Sequence, residues 1–278
     1  MTYREICARL SAAGIESCDW DARILLEHFC SADAITVLSD PDRDFIPSAE
    51  LLHAIQRRSE RYPLQYILGE WDFYRQTYEV SPDCLIPRSD TEKLVEEAIK
   101  RLPKNARFAD LCTGSGCIAV SVLAERSDTS AIAVDKFEKT LALAERNAIR
   151  NGVRERFEPL CADVLLPNFL TTEKGSLDAI LCNPPYIRTD VLADLAPELN
   201  AEPRAALDGG HDGLIFYETL LKNAAIYLKS NGFFLFEIGY DQGEDLKRMG
   251  ARYGFDQIEV LRDYGGNDRV VYLSRTHA

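Results

Sequence analysis

Apolar residues recur three and four positions apart in "TYREICARLSAAGI", in "DWDARILLEHF" and, after Pro47, in "SAELLHAIQRRSERY". That spacing lines them up on one stripe of a helix and predicts a helical start to the chain. "WDFYRQTYEV" then alternates aromatic and polar residues, the two-residue period of a short hairpin. Pro82 and Pro87 punctuate the connector "SPDCLIPRSD". A boundary is therefore expected near residue 80, with a small helical domain over 1–80 and a larger domain over 81–278.

From Asp90 the rhythm changes. Helical patterns ("TEKLVEEAIKRL" with Asp90 as N-cap, "GCIAVSVLAER", "FEKTLALAERNAIRNG" closed by Gly152, "GLIFYETLLKNAAIYLKSNG", "GEDLKRMGARYG") alternate with short apolar runs. Those runs, "RFADL", "SAIAVD", "FEPLCAD", "LDAILCN" and "FFLFEIG", read as strands. Such alternation predicts an α/β fold, a doubly wound and mostly parallel sheet covered by helices on both faces. "QIEVLRDYGGNDRVVYLSR" reads as two strands around a Gly-Gly turn, which implies an antiparallel hairpin at the C-terminal edge.

Composition narrows the function classes. The 278 residues are 46% hydrophobic, enough for a sizeable core. Eight cysteines stand without C-x-x-C pairs and four histidines are scattered, so no metal site and no disulfide frame is expected. No apolar run approaches the roughly 18 residues of a membrane helix, and the start "MTYREICARL" lacks a signal-peptide pattern. A cytoplasmic monomer without membrane contact is the expectation. The formal charge of −13 repels phosphates on average, which argues against direct nucleic-acid binding. Residues 1–80 share this character, with eight arginines against fourteen acids and no lysine.

In a doubly wound sheet, ligands gather at the carboxyl ends of the strands, so residues there carry the candidate chemistry. After the first strand comes "DLCTGSGCIA", where Gly114, Gly116 and Ala119 match G-x-G-x-x-A and Asp135 lies near the spacing of a ribose-binding acid. The loop by itself suits a dinucleotide or a plain tight turn. Asp110 favours a different ligand, since a pyrophosphate beside its carboxylate would meet like charge whereas an ammonium would be paired. S-adenosylmethionine carries an ammonium, a carboxylate and a sulfonium, and no phosphate. In that reading Asp110 takes the ammonium, and backbone N–H groups around Thr113, Gly114, Ser115 and Gly116 take the carboxylate. Asp135 takes the ribose hydroxyls, Asp163 accepts from the adenine amino group, and Val164 packs on the ring. Each carboxylate alone reads equally well as a solvated strand end. Three at successive strand ends form a set.

The fourth strand ends in "LCNPPYI". Two consecutive prolines end any strand and make a rigid platform. The Asn183 side-chain oxygen and the Pro184 carbonyl can accept both N–H bonds of one NH₂ group. The Tyr186 ring can stack on a planar group, and Pro185 completes the platform. An amide nitrogen held in this way faces a sulfonium methyl for in-line transfer, driven by positioning and charge complementarity.

"NPPY" with the D-x-x-T-G-S-G loop is typical of class I methyltransferases acting on planar amino groups. "PLQYILGEWDFY", "LIPRSDTE", "EPRAALDGGHDGL" and "DYGGNDRVV" add to it. Together, from about Tyr62 to the end, the chain resembles the PrmC/HemK protein-(glutamine N5) methyltransferases. The resemblance implies S-adenosylmethionine as cofactor and, as substrate, the glutamine of the Gly-Gly-Gln motif in peptide chain release factors. It also implies that the helical N-terminal domain helps to dock that partner. Asn183, Pro184 and Tyr186 become the catalytic set, Asn183 also borders the cofactor, and Arg88 joins the substrate side. Two stretches depart from the family pattern: Cys112 stands where glycine is common, and "PRSDTE" replaces PRPETE. Arg88 and Glu92 read either as pocket-shaping or as helix-capping. Glu202–Gly210 reads as a lid over the target amide or as a plain loop, and Asp268 and Arg269 as ion-paired. Three alternatives stand beside this reading: an adenine-N6 or related nucleic-acid methyltransferase, a dinucleotide oxidoreductase, and a catalytically silent adaptor.

Overall fold

Thr2 starts the first helix by a capping box, its side chain accepting from the Glu5 N–H while Glu5 accepts from the Thr2 N–H. The computed structural model describes residues 1–276. Five helices follow one another: α1 (Tyr3–Ala12), α2 (Cys18–Cys30), α3 (Ala34–Ser39), α4 (Ala49–Ser59) and α5 (Leu64–Leu68). The two short ones, α3 and α5, were not expected from periodicity, because neither is long enough to show one. Asp33 caps α3 through the Thr36 N–H, and Gly69 ends α5 in the left-handed conformation. Ile6, Leu10, Leu25, Leu26, Leu51 and Ile55 are fully buried and form a core separate from the rest of the chain.

This first unit comprises Met1–Glu70 and, from much later in the chain, Ala196–Ala201. The late segment is held by charge. Glu198 accepts from Arg58 at 3.1 Å and from Arg61 at 3.0 Å, and Arg58 also pairs with Asp21 at 2.6 Å. The boundary therefore differs from the expected split at residue 80 in two ways. It falls after Glu70, and the second unit gives up six residues. The hairpin of β1 (Glu70–Phe73) and β2 (Gln76–Glu79) packs mainly with the second unit, because Phe73 and Tyr78 are buried in that unit's core. Asn147 ties β2 down by accepting from the Glu79 N–H at 2.7 Å and donating to the Glu79 carbonyl at 3.0 Å.

The second unit alternates α6 (Glu92–Arg101), β3 (Arg107–Leu111), α7 (Cys117–Glu125), β4 (Ser130–Asp135), α8 (Glu138–Arg150), β5 (Phe157–Cys161) and β6 (Leu177–Cys182). It continues with α9 (Ile215–Asn223), β7 (Leu228–Glu237), α10 (Gly243–Arg252), β8 (Gln257–Arg262) and β9 (Asp268–Ser274). The sheet order is β5-β4-β3-β6-β7-β9-β8. Pairings from β5 to β7 are parallel, and β9 is antiparallel to both of its neighbours. The expected hairpin is at the edge, but its antiparallel member β9 lies one strand in and β8 forms the rim. Side chains alternate across the sheet as a two-residue period requires. Phe108, Ala133 and Leu181 pack on one face with Val95 and Val120, while Leu111, Val134 and Ile180 pack on the other with Tyr217.

Two further expectations change. The helix expected to run on to Gly232 stops at Asn223, and Leu228 already pairs with Leu177 at the start of β7. Lys229 secures that start by bonding Asp178 at 2.7 Å, and the sheet partner outweighs the local helical pattern. Asp90 does not cap α6. It lies in a 3₁₀ turn, Ser89–Thr91, and pairs with Arg269 at 3.2 Å.

Candidate active site

The carboxyl ends of four strands are level. Leu111 of β3 lies opposite Val134 of β4 and Cys182 of β6, and Asp135 of β4 opposite Cys161 of β5. The chain runs from β3 outward to β4 and β5, then returns across to β6 on the other side of β3. Loops leaving β3 and β6 therefore part from each other and open a crevice. A cavity of about 450 Å³ fills it. Of the residues expected to form the site, Cys112, Gly114, Asp135, Asp163, Val164, Asn183 and Pro185 line this cavity. Asp110, Thr113, Ser115, Gly116, Pro184, Tyr186 and Arg88 do not.

The glycine loop is held mainly by the end of β4. Thr113 donates its N–H to the Val134 carbonyl (3.0 Å), Gly114 to Asp135 Oδ2 (3.1 Å) and Gly116 to the Thr113 carbonyl (2.9 Å). Three of the four N–H groups expected to hold a ligand carboxylate are thus committed, two of them to the end of β4 and one within the turn. Ser115 keeps its N–H without a partner among the described residues, while its carbonyl accepts from Asn147 at 2.9 Å. Gly116 is required by a close approach, since a Cβ there would lie 3.1 Å from the Ala144 Cβ of α8.

Cys112 takes φ +58°, the left-handed region that its position in the turn demands. Cys112→Gly is expected to leave stability unchanged or raise it, whereas Cys112→Val, β-branched at the same φ, costs about 1–3 kcal/mol. Urea midpoints of the two variants measure the difference, and equal midpoints would refute a strained turn.

The carboxylates occupy different environments. Asp110 is fully buried beneath the loop, with Oδ2 accepting from the Thr113 hydroxyl (2.6 Å) and the Ala119 N–H (3.1 Å). Burial pushes its carboxyl up to about 7, opposed by those two donors. Its Oδ1 has no partner among the described residues. Asp135 lines the cavity with its two oxygens anchored on the Gly114 and Phe137 N–H groups, and its burial raises its pKa. Asp163 accepts from the Leu165 N–H at 3.0 Å and pairs with Lys136 at 2.9 Å. Burial works against its charge, but Lys136 and the Leu165 N–H prevail and lower its pKa.

On the other wall Asn183 donates its Nδ2 to the Thr91 hydroxyl at 3.1 Å. Its oxygen is thereby the end left for the cavity. Tyr186 turns inward, its hydroxyl donating to Glu237 Oε1 at 3.3 Å and its carbonyl accepting from Gln242 at 3.1 Å. The ring expected to stack on substrate instead packs partly against the core of that face. Glu237 ends β7 fully buried, and burial pushes its carboxyl up to about 7 while the Thr91 hydroxyl, Arg269 and Tyr186 favour the charged form. Arg88 bonds Glu202, which also accepts from the Ile86 N–H at 3.0 Å, so this arginine braces the Glu202–Gly210 loop and does not reach the cavity. Glu92 accepts from the Tyr74 N–H at 2.9 Å and neither caps α6 nor enters the pocket. Arg269 pairs with Asp90 and Asp263, and Asp268 with Arg262.

Residues 2–69 match the family model described as the PrmC N-terminal domain, and residues 90–215 that of the methyltransferase small domain. Over 276 residues the chain is 38% identical to a release factor glutamine methyltransferase of Agrobacterium fabrum, covering 96% of this chain and 94% of that one. The chain belongs to the release factor glutamine methyltransferases. A Moorella thermoacetica member is also 38% identical, over 98% of this chain and 96% of its own. The catalytic domain of hMettl16, solved with an RNA hairpin, shares the fold with a TM-score of 0.55 at 15% identity, covering 82% of each chain.

In this methyltransferase several cavity residues escaped the sequence reading. Phe137 keeps a half-exposed ring on the cavity wall two residues after Asp135, and Lys136 stands between them. An aromatic just past a strand-end acid was a usable signal. Thr91, Asn147 and Glu237 carried none, because each acts on a residue far away in sequence. Among the described residues no cluster of His, Cys, Asp and Glu could hold a metal ion, and no helix is long and apolar enough to cross a membrane.

Proposed function

We propose that this chain transfers the methyl group of S-adenosylmethionine to the side-chain nitrogen, N5, of the glutamine in the Gly-Gly-Gln motif of peptide chain release factors. The observation that carries the reading is Asn183, tied through its nitrogen to Thr91 so that its oxygen serves as an acceptor at the cavity wall.

The donor set fits the cofactor. Four carboxylates, Asp83, Asp135, Asp163 and Asp208, line the cavity with Lys136 as the basic group, a balance that suits a sulfonium and opposes a pyrophosphate. Asp135 retains lone pairs for ribose hydroxyls beyond the two N–H bonds that it accepts. Phe137 and Val164 offer flat and branched apolar surface for an adenine ring. The bare Oδ1 of Asp110, buried beneath the loop, is an acceptor that an ammonium in the cavity reaches through one water. Once bound, the cofactor supplies an electrophilic methyl on a positively charged sulfur.

The chain's own residues handle the nucleophile. Asn183 Oδ1 and the Pro184 carbonyl accept the two amide N–H bonds, which orients the nitrogen and draws electron density onto it. Pro185 limits rotation on the cavity side, and the turned-in Tyr186 anchors the platform from behind. Two neutral acceptors suffice, because the methylated nitrogen sheds its proton only after transfer. The partner also sets the compartment: modification of a release factor belongs in the cytoplasm, with a monomer as the working form and the helical unit as its docking surface.

Mass spectrometry of the release factor's Gly-Gly-Gln peptide, after incubation with the chain and S-adenosylmethionine, tests this directly. One added methyl on the glutamine is the expected result. Label from the cofactor entering DNA or RNA, and not the release factor, would overturn it.

A further inference from the structure

We propose that Gln242 is a positioning residue for methyl transfer: its carboxamide fastens the far end of the Asn183–Tyr186 turn to the segment that closes the Glu202–Gly210 loop. This deepens the function proposed above and rests on it.

Gln242 stands immediately ahead of α10, yet its side chain makes no bond to the first N–H groups of that helix. The buried carboxamide goes instead to the backbone of separate segments. Nε2 donates to the Tyr186 carbonyl at 3.1 Å and to the Gly213 carbonyl at 3.3 Å. Oε1 accepts from the Gly239 N–H at 2.9 Å, just past the end of β7. The Tyr217 hydroxyl, which donates to the Glu237 carbonyl at 2.8 Å, stands 3.5 Å from the same oxygen. A carbonyl only accepts and a backbone N–H only donates, so the partners themselves fix which end of the amide faces which. All of them are neutral groups, and the arrangement depends on no protonation state.

Pro184 and Pro185 fix two φ angles between Asn183 and Tyr186, so the turn moves as one piece about its ends. Its near end is set by β6, where Cys182 pairs with Leu111 and Phe236. Its far end carries the Tyr186 carbonyl, and Gln242 is the donor to it. The Glu202–Gly210 loop is tied to the chain just beyond. Ile187 donates its N–H to the Leu207 carbonyl (3.0 Å), Gly209 to the Ile187 carbonyl (2.8 Å) and Thr189 to the Gly210 carbonyl (3.0 Å). Gly213 comes so close that a Cβ there would run into the Tyr186 carbonyl oxygen. Two carbonyl oxygens thus converge on one NH₂. Removing that donor leaves them facing each other unpaired, and the turn and the loop part. The parting displaces the Pro184 carbonyl from a cavity that Asn183, Pro185, Asp208 and Gly210 line and Gln242 itself does not.

The test uses the full chain with two variants. Gln242→Met keeps the length and loses the donor, and Gln242→Asn keeps the amide but is one methylene too short to bridge Gly239 to both carbonyls. Each is expected to lower kcat for release-factor methylation by about 10–100-fold, with affinity for S-adenosylmethionine within a few-fold of the parent. Amide hydrogen exchange of the free protein gives a second readout that needs no substrate. The Ile187 and Gly209 amides are expected to exchange at least ~10-fold faster in both variants, while Ala109 and Ile180, inside β3 and β6, keep the parental rate. A parental kcat in Gln242→Met would overturn the proposal, as would parental exchange at Ile187 and Gly209. Equal acceleration at Ala109 and Ile180, loss of cofactor binding, or failure of both variants to fold would mark a merely structural role and overturn it too. A parent that leaves release factors unmethylated would sink the function reading, while the exchange measurement would still decide this one.

Discussion

Asn183→Ala is expected to lower kcat for release-factor methylation by about 100–1,000-fold, the range seen when one preorganised polar contact to a reacting group is removed. The variant deletes the acceptor that orients the amide nitrogen and strands the Thr91 hydroxyl that now accepts from it. The cofactor-side residues Asp135, Asp163 and Phe137 leave different strands and are untouched, so affinity for S-adenosylmethionine should stay within a few-fold of the parent. The loss then falls on kcat far more than on cofactor binding, the pattern of an interaction that matters most in the transition state. Calorimetric titration of the cofactor and single-turnover rates separate the two. A parental rate would refute the acceptor role.

Gly209→Ala is the second large effect. A Cβ at Gly209 would lie 2.7 Å from the Tyr186 Cα, 2.8 Å from the Pro185 carbonyl oxygen and 2.9 Å from the Tyr186 carbonyl carbon. All three are backbone atoms of the turn that carries the acceptors, so no side-chain rotation relieves the clash. Either the Glu202–Gly210 loop lifts away, losing the 2.8 Å bond from the Gly209 N–H to the Ile187 carbonyl, or the turn itself shifts. Overpacking of this kind costs about 1–3 kcal/mol of stability. A displacement near 1 Å at the acceptors lowers the rate by about 100-fold. Gly175→Ala is the control: its φ of +65° makes any side chain strained, yet nothing lies within 4 Å of the added Cβ. It should lose stability and keep the parental kcat. Equal rate losses in the two variants would show that stability, and not the packing of this turn, limits activity.

The Glu202–Gly210 segment reads from sequence as a lid or a plain loop, and its contacts now specify it. Glu202 is buried and bonded to Arg88 and to the Ile86 N–H, Gly209 and Gly213 press against the backbone at Tyr186, and Pro203, Ala206 and Asp208 line the cavity. It is a wall, braced at its start by an ion pair and at its end by glycine contacts. Arg88 and Thr91, three residues apart, meet different partners. In "LIPRSDTE" the arginine supports the wall and the threonine meets Asn183.

The sequence by itself determined the parts of this protein that depend on near neighbours. Period-2 and period-3.6 patterns set the strands and helices, and the strand-end carboxylates and the Asn-Pro-Pro-Tyr turn marked where the candidate chemistry lies. Tertiary structure decided what depends on distant pairs. Thr91 and Asn183 are 92 residues apart, Tyr186 and Glu237 51 apart, and they meet only because β6 and β7 are paired neighbours and the turn before α6 lies against their ends. The same holds for the glycine-loop N–H groups already committed to Val134 and Asp135, for the helix cut short at Asn223 and for the six residues that Arg58 and Arg61 draw into the first unit. Local pattern records which face of an element is apolar. Which donor meets which acceptor is settled only when strand order and register bring them within hydrogen-bond distance.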